Sequence, residues 1–336
     1  MSTPTEAPQA ETVELSYREA ICAALADELA ADESVLLMGE DVAAAGGVFK
    51  TTEGLPERFG PERIRNTPIC ENTFVGVALG LAVTGYRPIV EIMFADFLPT
   101  AGDAIVNELP KFRFMSGGQC TVPVTIRAIG GAGGRFGTQH SATGESWYMA
   151  LPGLKVATAG TPDGAYSLLR AAIRDDDPVL FYEHKALYAR KGPVRRSDDN
   201  VAATGKADIA RPGDDLTIVA TMLMLDRALQ AAERLQHDGI SAEVIDLRWL
   251  RPFDQDTVQR SFERTGRLLI VEEQLHDAGW GASLISRLAL AGAPVEGAVH
   301  VLGLPDHLLI PSTPALEDAI LPSVDAIVHA ARAPDG

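Results

Sequence analysis

Two residues, Glu71 and His140, have the types and settings needed for proton-transfer chemistry. Glu71 precedes a stretch of apolar and small residues from Phe74 to Thr84 that ends at Gly85, a pattern typical of a buried helix. Apolar surroundings raise the pKa of a carboxyl group, which suits it to general acid–base catalysis. A helix dipole equally favours an exposed glutamate at this position, so the neighbouring residues alone leave both interpretations open.

His140 lies between a glycine-rich run and Ser141, and an imidazole can give or take a proton near neutral pH. The run from Gly130 to Gly137 resembles a dinucleotide-binding fingerprint, but Phe136 stands where the third glycine belongs. We therefore interpret it as a loop in which the backbone closely approaches another group. The sequence contains no phosphate-binding P-loop and no HExxH or GxSxG motif.

Composition narrows the class of protein. The chain has 336 residues, enough for about two domains. Its formal net charge is −17, which would repel nucleic acid and anionic membranes, so we expect neither as a partner. Cys22, Cys70 and Cys120 are scattered, which argues against a disulfide framework or a zinc site and favours a reducing cytosol or matrix. Of these we predict a cytoplasmic location. No apolar run reaches the roughly 18 residues of a membrane span.

Helix and strand patterns alternate in two blocks, residues 15–190 and 215–332. The strand patterns are mostly continuous apolar runs, which predict an α/β fold with a parallel sheet covered by helices on both faces, followed by a smaller C-terminal α/β domain. Ser16 is the predicted N-cap of the first helix. We interpret residues 1–14 as a disordered tail, residues 191–214 as a linker, and Pro314 to Ala331 as one terminal helix.

A family resemblance becomes visible in the segment from Thr67 to Gly76, TPICENTFVG. It resembles the TP[IL]xE motif of the beta subunits of 2-oxo acid dehydrogenase complexes, the thiamine-diphosphate-dependent decarboxylating components. The similarity continues in order through RPIVE, FADF, KFRFMSGG, QHS, PGLKV and RDDDPV. It covers residues 15–331 and implies a transketolase-like pyrimidine-binding domain over 15–190 and a transketolase C-terminal-like domain over 215–332.

The resemblance also implies roles for individual residues. Glu71 matches the glutamate whose carboxyl group contacts N1′ of the cofactor's aminopyrimidine, and Phe97 matches an aromatic residue that packs on that ring. Ile69 and Met93 would be further neighbours of the ring, with ordinary core packing as the alternative. His140 matches the histidine near the reactive thiazolium that helps the acyl group move to lipoamide.

Metal ions and partner chains follow from the same resemblance. The segments Val124-Thr125 and Ala172 to Asp177 resemble a loop that holds a structural potassium ion in some relatives. Its ligands would be largely backbone carbonyls together with Asp175 and Asp177, and a solvated acidic turn is the alternative. The family binds magnesium and the cofactor's diphosphate with a GDG…N motif on the alpha subunit, and this chain lacks that motif. We therefore expect a chain that is inactive alone and works in an α2β2 heterotetramer. His184 is expected to pack at a strand end, with a substrate role as the alternative.

The predicted function is the beta subunit of a 2-oxo acid dehydrogenase, an oxidoreductase that decarboxylates a small 2-oxo acid and acylates lipoyl groups of an acyltransferase component. Pyruvate is the first choice of substrate, acetoin the second and a branched-chain 2-oxo acid the third. A non-catalytic scaffold with a degenerate cofactor site is the alternative from another class, and the presence of both Glu71 and His140 argues against it.

Overall fold

The computed structural model describes residues 11–44 and 46–332, which form two α/β units and a two-stranded ribbon. The strands are β1 (Glu11–Ser16), β2 (Val35–Gly39), β3 (Ile64–Asn66), β4 (Arg87–Ile92), β5 (Thr125–Gly130), β6 (Lys155–Thr158), β7 (Val179–His184), β8 (Lys191–Arg196), β9 (Asp208–Arg211), β10 (Leu216–Ala220), β11 (Ala242–Asp246), β12 (Trp249–Arg251), β13 (Leu268–Leu275) and β14 (Val299–Leu304). The α-helices are α1 (Tyr17–Ala31), α2 (Leu55–Phe59), α3 (Glu71–Val83), α4 (Leu109–Met115), α5 (Glu145–Met149), α6 (Pro162–Arg174), α7 (Met222–His237), α8 (Gln255–Thr265), α9 (Trp280–Leu290), α10 (Pro314–Ile320) and α11 (Val324–Arg332).

The first sheet has seven strands in the order β12-β6-β7-β5-β4-β2-β3, and all are parallel except the edge strand β12. Every residue of the central strands β5 and β7 is buried. Burial on both faces explains why these strands are mostly apolar rather than alternating, with the charged residues Arg127 and Glu183 as exceptions. The predicted parallel α/β fold is therefore confirmed.

The second sheet has five strands in the order β14-β13-β10-β11-β9, with β9 antiparallel at its edge. Helices α7, α8, α9 and α11 pack on it. Strand β12 follows β11 in the chain but pairs with β6 of the first sheet, where the side chain of Trp249 is fully buried. The two units are thus joined through a strand as well as through the chain between them.

The first helix begins as its sequence predicts. Ser16 is the N-cap of α1, and its hydroxyl accepts a hydrogen bond from the backbone amide of Glu19, while the Glu19 carboxylate accepts one from the amide of Ser16 at 2.7 Å. This reciprocal pair satisfies two amides that the first helical turn leaves without partners. The entry of the chain into the first domain is fixed by this capping box.

The structure corrects the predicted tail and linker. Of the predicted tail 1–14, residues 1–10 lie outside the described part, and the rest belongs to β1, which pairs antiparallel with β8. The predicted linker 191–214 contains β8 and also β9, an edge strand of the second sheet. The sequence pattern missed the ribbon because both strands are short and largely polar, and they are stabilised by each other, with Glu11 opposite Arg196.

The predicted terminal helix from Pro314 to Ala331 is also corrected, because the structure has two helices there. Helix α10 ends at Ile320 and α11 begins at Val324. Pro322 lies between them and has no amide hydrogen to continue the helix. Its carbonyl instead accepts a hydrogen bond from Arg227 at 2.6 Å. Within residues 11–44 and 46–332, no helix combines the length and the hydropathy needed to cross a bilayer.

A buried ionic cluster connects three neighbouring strands of the first sheet. Arg127 on β5 contacts the Glu91 carboxylate on β4 at 2.5 Å and forms a two-pronged ion pair with Glu183 on β7 at 2.6 and 3.0 Å. Their side chains are 0%, 2% and 0% exposed. The hydroxyl of Tyr188 donates a further hydrogen bond to Glu183 at 2.8 Å. One cation thus compensates two carboxylates in the centre of the sheet.

The interface between the two units buries a carboxyl group that favours its neutral form. Burial raises the pKa of Glu145 to about 8. Its carboxylate accepts a hydrogen bond from Gln274, while its other oxygen is buried without a hydrogen-bond partner among the described residues. An unfolded chain would release this proton at a much lower pH, because a solvated glutamate has a pKa of about 4.3.

This difference predicts a pH dependence of stability. Because the folded-state pKa is raised, the contribution of Glu145 is fully present below the unfolded pKa and is lost as the pH rises towards about 8. Glu145→Gln should therefore flatten the decline, by up to ~1.4 kcal/mol per pH unit, in urea unfolding of the full chain. Glu263→Gln on the exposed face of α8 is the control. A Glu145→Gln chain with the wild-type slope would contradict the assignment.

Candidate active site

The carboxyl ends of four parallel strands meet at one edge of the first sheet. Strands β2, β4, β5 and β7 end at Gly39, Ile92, Gly130 and His184. The residues that follow them include Glu40, Met93 and Lys185, together with the glycine-rich loop. Ligands of open α/β sheets bind outside this edge. The candidate active site is therefore built from these connections.

Glu71 is the first residue of α3 and is half-buried beside Glu40. Burial raises the pKa of Glu40, and the nearby charge of Glu71 raises it further. One Glu40 oxygen and the hydroxyl of Thr67 are buried without hydrogen-bond partners in the described residues. Thr67 lies next to this pair, because its amide donates to the carbonyl of Gly39 at 2.9 Å. Unpartnered buried oxygens of this kind are costly unless a ligand uses them.

The structure brings His140 and Phe97 into contact. The rings of Phe97 and Phe94 are both edge-on to the His140 ring, with centroid distances of 5.5 and 4.6 Å. Phe94 and Phe97 also contact each other edge to face at 5.9 Å. This apolar contact holds the imidazole in one orientation. Phe94 is a site residue that the sequence reasoning missed, although it is part of the same FADF segment.

The aromatic contacts extend to Phe49 and Phe136, each about 6 Å from Phe94 between ring centroids. The ammonium group of Lys185 lies 5.8 Å from the rings of Phe94 and Phe136 and has no hydrogen-bond partner among the described residues. Burial lowers the pKa of Lys185 to about 8. Sequence reasoning missed this lysine, because only the fold surrounds it with aromatic rings.

The other predicted pyrimidine neighbours have different environments. Ile69 is 83% exposed, whereas Met93 is half-buried at the end of β4. Among the described residues, no hydrogen bond or ring contact joins Glu71 to His140. The structure therefore brings together Glu71 with Glu40, and His140 with Phe97, as two groups along one edge of the sheet.

The predicted potassium ligands Asp175 and Asp177 are paired with side-chain cations. The Asp175 carboxylate accepts hydrogen bonds from the Lys155 ammonium at 2.6 and 2.7 Å, and the Asp177 carboxylate accepts one from Arg113 at 2.6 Å. The carbonyl of Asp175 accepts from Arg87 at 3.0 Å. Side-chain cations of this chain therefore neutralise both carboxylates, and the potassium site stays a prediction. Residues 11–44 and 46–332 also hold no cluster of three metal-binding side chains.

His184 packs at the end of β7 and is fully buried. Its Nε2 atom lies 2.9 Å from the Glu273 carboxylate of β13, and its Nδ1 atom accepts a hydrogen bond from the amide of Ala186. Both ring nitrogens are therefore bonded within the chain. This environment agrees with the structural interpretation of His184 rather than with a substrate contact.

A groove of about 380 Å³ opens beside the His140 loop and is lined by both units. Its wall includes Asp96, Thr143 and Trp147 from the first unit and Gln274 and Leu309 from the second. Pockets of a few hundred cubic ångströms that lie between domains commonly admit small ligands.

Comparison with known proteins identifies the family. The Transketolase, pyrimidine binding domain matches residues 13–191, and the Transketolase, C-terminal domain matches residues 205–327. The 2-oxoisovalerate dehydrogenase subunit beta of Bacillus subtilis is 40% identical over 322 residues, which cover 95% of this chain and 98% of that protein. The chain belongs to the beta subunits of the 2-oxo acid dehydrogenases. The predicted family and fold are therefore confirmed.

Relatives of this beta subunit differ in substrate. The mitochondrial pyruvate dehydrogenase E1 component subunit beta-2 of Oryza sativa is 42% identical, covering 95% of this chain and 86% of that one. The acetoin:2,6-dichlorophenolindophenol oxidoreductase subunit beta of Cupriavidus necator is 41% identical, covering 95% and 96%. A solved split gene transketolase, described as an inactive beta4 tetramer, has a TM-score of 0.77 at 26% identity and covers 95% of this chain and 97% of its own. Identity alone therefore does not separate pyruvate, acetoin and branched-chain enzymes.

Proposed function

We propose that this chain is the beta subunit of a thiamine-diphosphate-dependent pyruvate dehydrogenase, which decarboxylates pyruvate oxidatively and transfers the acetyl group to lipoyl groups of an acyltransferase component. The observation that carries the proposal is the position of Glu71 at the start of α3, beside buried oxygens of Glu40 and Thr67 that have no partners in the described chain. Such a site fits a heterocycle with hydrogen-bonding nitrogens better than it fits bulk water.

Each residue of the site has a separate task in this proposal. Glu71 would hold a proton at N1′ of the aminopyrimidine, and Phe97 would pack on that ring, with Ile69 and Met93 beside it. When bound, the cofactor supplies the electron sink for decarboxylation. His140 would give or take a proton where the acyl group passes to lipoamide.

A partner chain is supported by exposed apolar side chains and by a missing motif. Ile69, Phe114 and Trp147 are 83%, 90% and 71% exposed, and large exposed apolar groups commonly mark protein interfaces. The chain has no GDG…N motif for magnesium and diphosphate, so an alpha subunit would supply these ligands in an α2β2 heterotetramer. We propose a cytoplasmic location, supported by three cysteines that are all free.

Co-expression with an alpha subunit tests the proposal. The assembled complex should reduce an artificial electron acceptor with pyruvate only when thiamine diphosphate and both chains are present. Acetoin and branched-chain 2-oxo acids are screened in parallel, because relatives with these substrates are about as similar. Preference for either would replace pyruvate as the substrate. If no substrate supports thiamine-dependent reduction, or if no thiamine-binding tetramer forms, the scaffold alternative is favoured.

A further inference from the structure

The glycine-rich loop binds carboxylates of the C-terminal domain through its backbone. The amide of Ala132 donates to the Glu273 carboxylate at 2.5 Å, and the amide of Gly133 donates to the Glu317 carboxylate. Gly131 and Gly133 have φ values of +86° and +90°, a region that favours glycine. Consecutive amides in such a turn form an anion-binding concavity. The anions here come from the protein itself, which accounts for a glycine-rich run without a nucleotide fingerprint.

Glu273 ties both ends of the segment that carries His140. Its side chain binds the amide of Ala132 before the histidine, and its backbone carbonyl accepts a hydrogen bond from the hydroxyl of Thr143 after it. Its other carboxylate oxygen is 2.9 Å from Nε2 of His184. A Cβ atom at Gly131 would lie 2.0 Å from that same nitrogen, so the loop packs against the hydrogen-bonded His184 and Glu273 side chains without free space.

Glu317 supplies the second tie and is fully buried. Besides the amide of Gly133, its carboxylate faces the guanidinium of Arg135 at 3.5 Å. Arg135 in turn donates to the Asp318 carboxylate at 2.9 Å and to the carbonyl of Pro314 at 3.1 Å. The glycine-rich loop is therefore anchored to α10 by the buried carboxylate of Glu317, the exposed carboxylate of Asp318 and the backbone carbonyl of Pro314.

One further bond connects the histidine's own turn to the C-terminal domain. The hydroxyl of Thr138 donates to the carbonyl of Ile310 at 3.0 Å. The opposite side of the turn is held by the first domain, where Phe94 and Phe97 contact the His140 ring. The position of the imidazole is consequently determined by both domains.

We propose that Glu273 and Glu317 are positioning residues for His140, so that the C-terminal domain sets the geometry of acyl transfer as well as serving assembly. The inference rests on the proposed function of His140. Misplacing a reacting group by about 1 Å costs on the order of 100-fold in rate. Loss of the hydrogen bond from either carboxylate should therefore slow acyl transfer to lipoamide, which uses the His140 imidazole. It should leave the earlier chemistry, which uses Glu71, unchanged.

Hydrogen exchange in the full chain tests the positioning without any enzyme assay. Glu317→Ala should speed exchange in residues 131–144 by about tenfold or more, while β4 and β5 stay as protected as in the wild type. Asp325→Asn, which removes an exposed carboxylate paired with Arg234 on the same domain, is the control and should change neither region. Unchanged exchange in the loop, or faster exchange throughout the chain, would overturn the positioning role.

Activity of the complex with an alpha subunit gives the second readout. Glu317→Ala should lower the rate of lipoyl acylation by about 10- to 100-fold and change artificial-acceptor reduction by less than about twofold. Glu317→Gln keeps an oxygen for the Gly133 amide and should recover most of the loss. Combining Glu317→Ala with His140→Ala should be no worse than His140→Ala alone. Additive losses in the double variant would overturn the proposal.

A second variant and the hydrogen-exchange readout distinguish failure of this proposal from failure of the proposed function. If Glu317→Ala does not fold, Thr138→Val removes a tie from an exposed residue and should give a smaller change in the same direction. Without an effect of Thr138→Val on loop exchange, the proposal fails. If the wild-type complex acylates no lipoyl group, the proposed function has failed, and hydrogen exchange still decides whether the Glu317 carboxylate orders the loop.

Discussion

Glu71→Gln should lower turnover of the assembled enzyme by about 10²- to 10⁴-fold, the range for losing a positioned proton-transfer group. Glutamine has nearly the same shape as glutamate but cannot share a proton with a ring nitrogen. The loss should persist at saturating cofactor and substrate, because the variant keeps the position of the side chain at the start of α3. The measurement is substrate-dependent reduction of an artificial acceptor by the complex.

The free energy of unfolding of the Glu71→Gln chain should not fall with its turnover. Glu71 and Glu40 repel each other, as the raised pKa of Glu40 indicates, so removing one charge relieves an unfavourable contact. A glutamate that served only the helix dipole would instead contribute about 0.3–1 kcal/mol. We expect urea unfolding of the Glu71→Gln chain to show equal or greater stability than the wild type. Activity and stability would then separate, as they do for functional groups held at a cost to the fold.

Glu57→Gln is a matched control, because Glu57 is also a first-turn helix glutamate but is exposed on α2. It should leave turnover within about twofold of the wild type, since it touches no reacting group. A Glu71→Gln enzyme that retained near-normal turnover would show that the carboxyl group does no proton chemistry. The assignment of the thiamine site would then be wrong.

Much of the first domain was predictable because burial leaves a local pattern. The largely apolar strands β4 and β5 indicate a sheet covered on both faces, and the Ser16 capping box indicates a helix start. Glu71 stands at the helix start where the sequence placed it. Each of these features depends on neighbours within a few residues, which is the range that sequence periodicity can detect.

Contacts between distant segments were not predictable from such patterns. Gly133 and Glu317 are separated by 184 positions, and nothing near either one indicates the other. For the acidic turn at Asp175 and Asp177, the sequence does not reveal that Lys155 and Arg113 pair with the two carboxylates. Side-chain pairing across a fold is a property of topology, and topology brings together residues whose local settings are unremarkable.

Arg127→Met should give the largest loss of stability, because it leaves two carboxylates in the core without a cation. Removing one partner of a buried ion pair typically costs ~3–5 kcal/mol, and here Glu91 and Glu183 both lose their contact. The measurement is urea or thermal unfolding of the full chain. The deficit should be smaller at about pH 5 than at about pH 8, because burial already raises the pKa of Glu91 and acid neutralises it.

Arg113→Met is the matched control for an ion pair at the surface. Arg113 binds Asp177 at 2.6 Å, but the two side chains are 47% and 33% exposed. Solvent-exposed pairs contribute about 0–1 kcal/mol, so this variant should unfold close to the wild type. Equal losses for Arg113→Met and Arg127→Met would contradict the assignment of the cost to buried, uncompensated charge.

A triple variant tests whether unpaired buried charge causes the loss of stability in Arg127→Met. Arg127→Met combined with Glu91→Gln and Glu183→Gln removes all three charges and should recover most of the lost stability, because neutral side chains avoid the desolvation penalty. If the triple variant stays as unstable as Arg127→Met alone, unpaired charge is not the cause.

The ionic cluster also orients the candidate active site. Glu183 accepts a hydrogen bond from Tyr188, and the Tyr188 ring packs on Phe49 at a centroid distance of 5.3 Å. We therefore expect restored stability with turnover still below that of the wild type, because neutral amides hold Tyr188 less firmly than a carboxylate does.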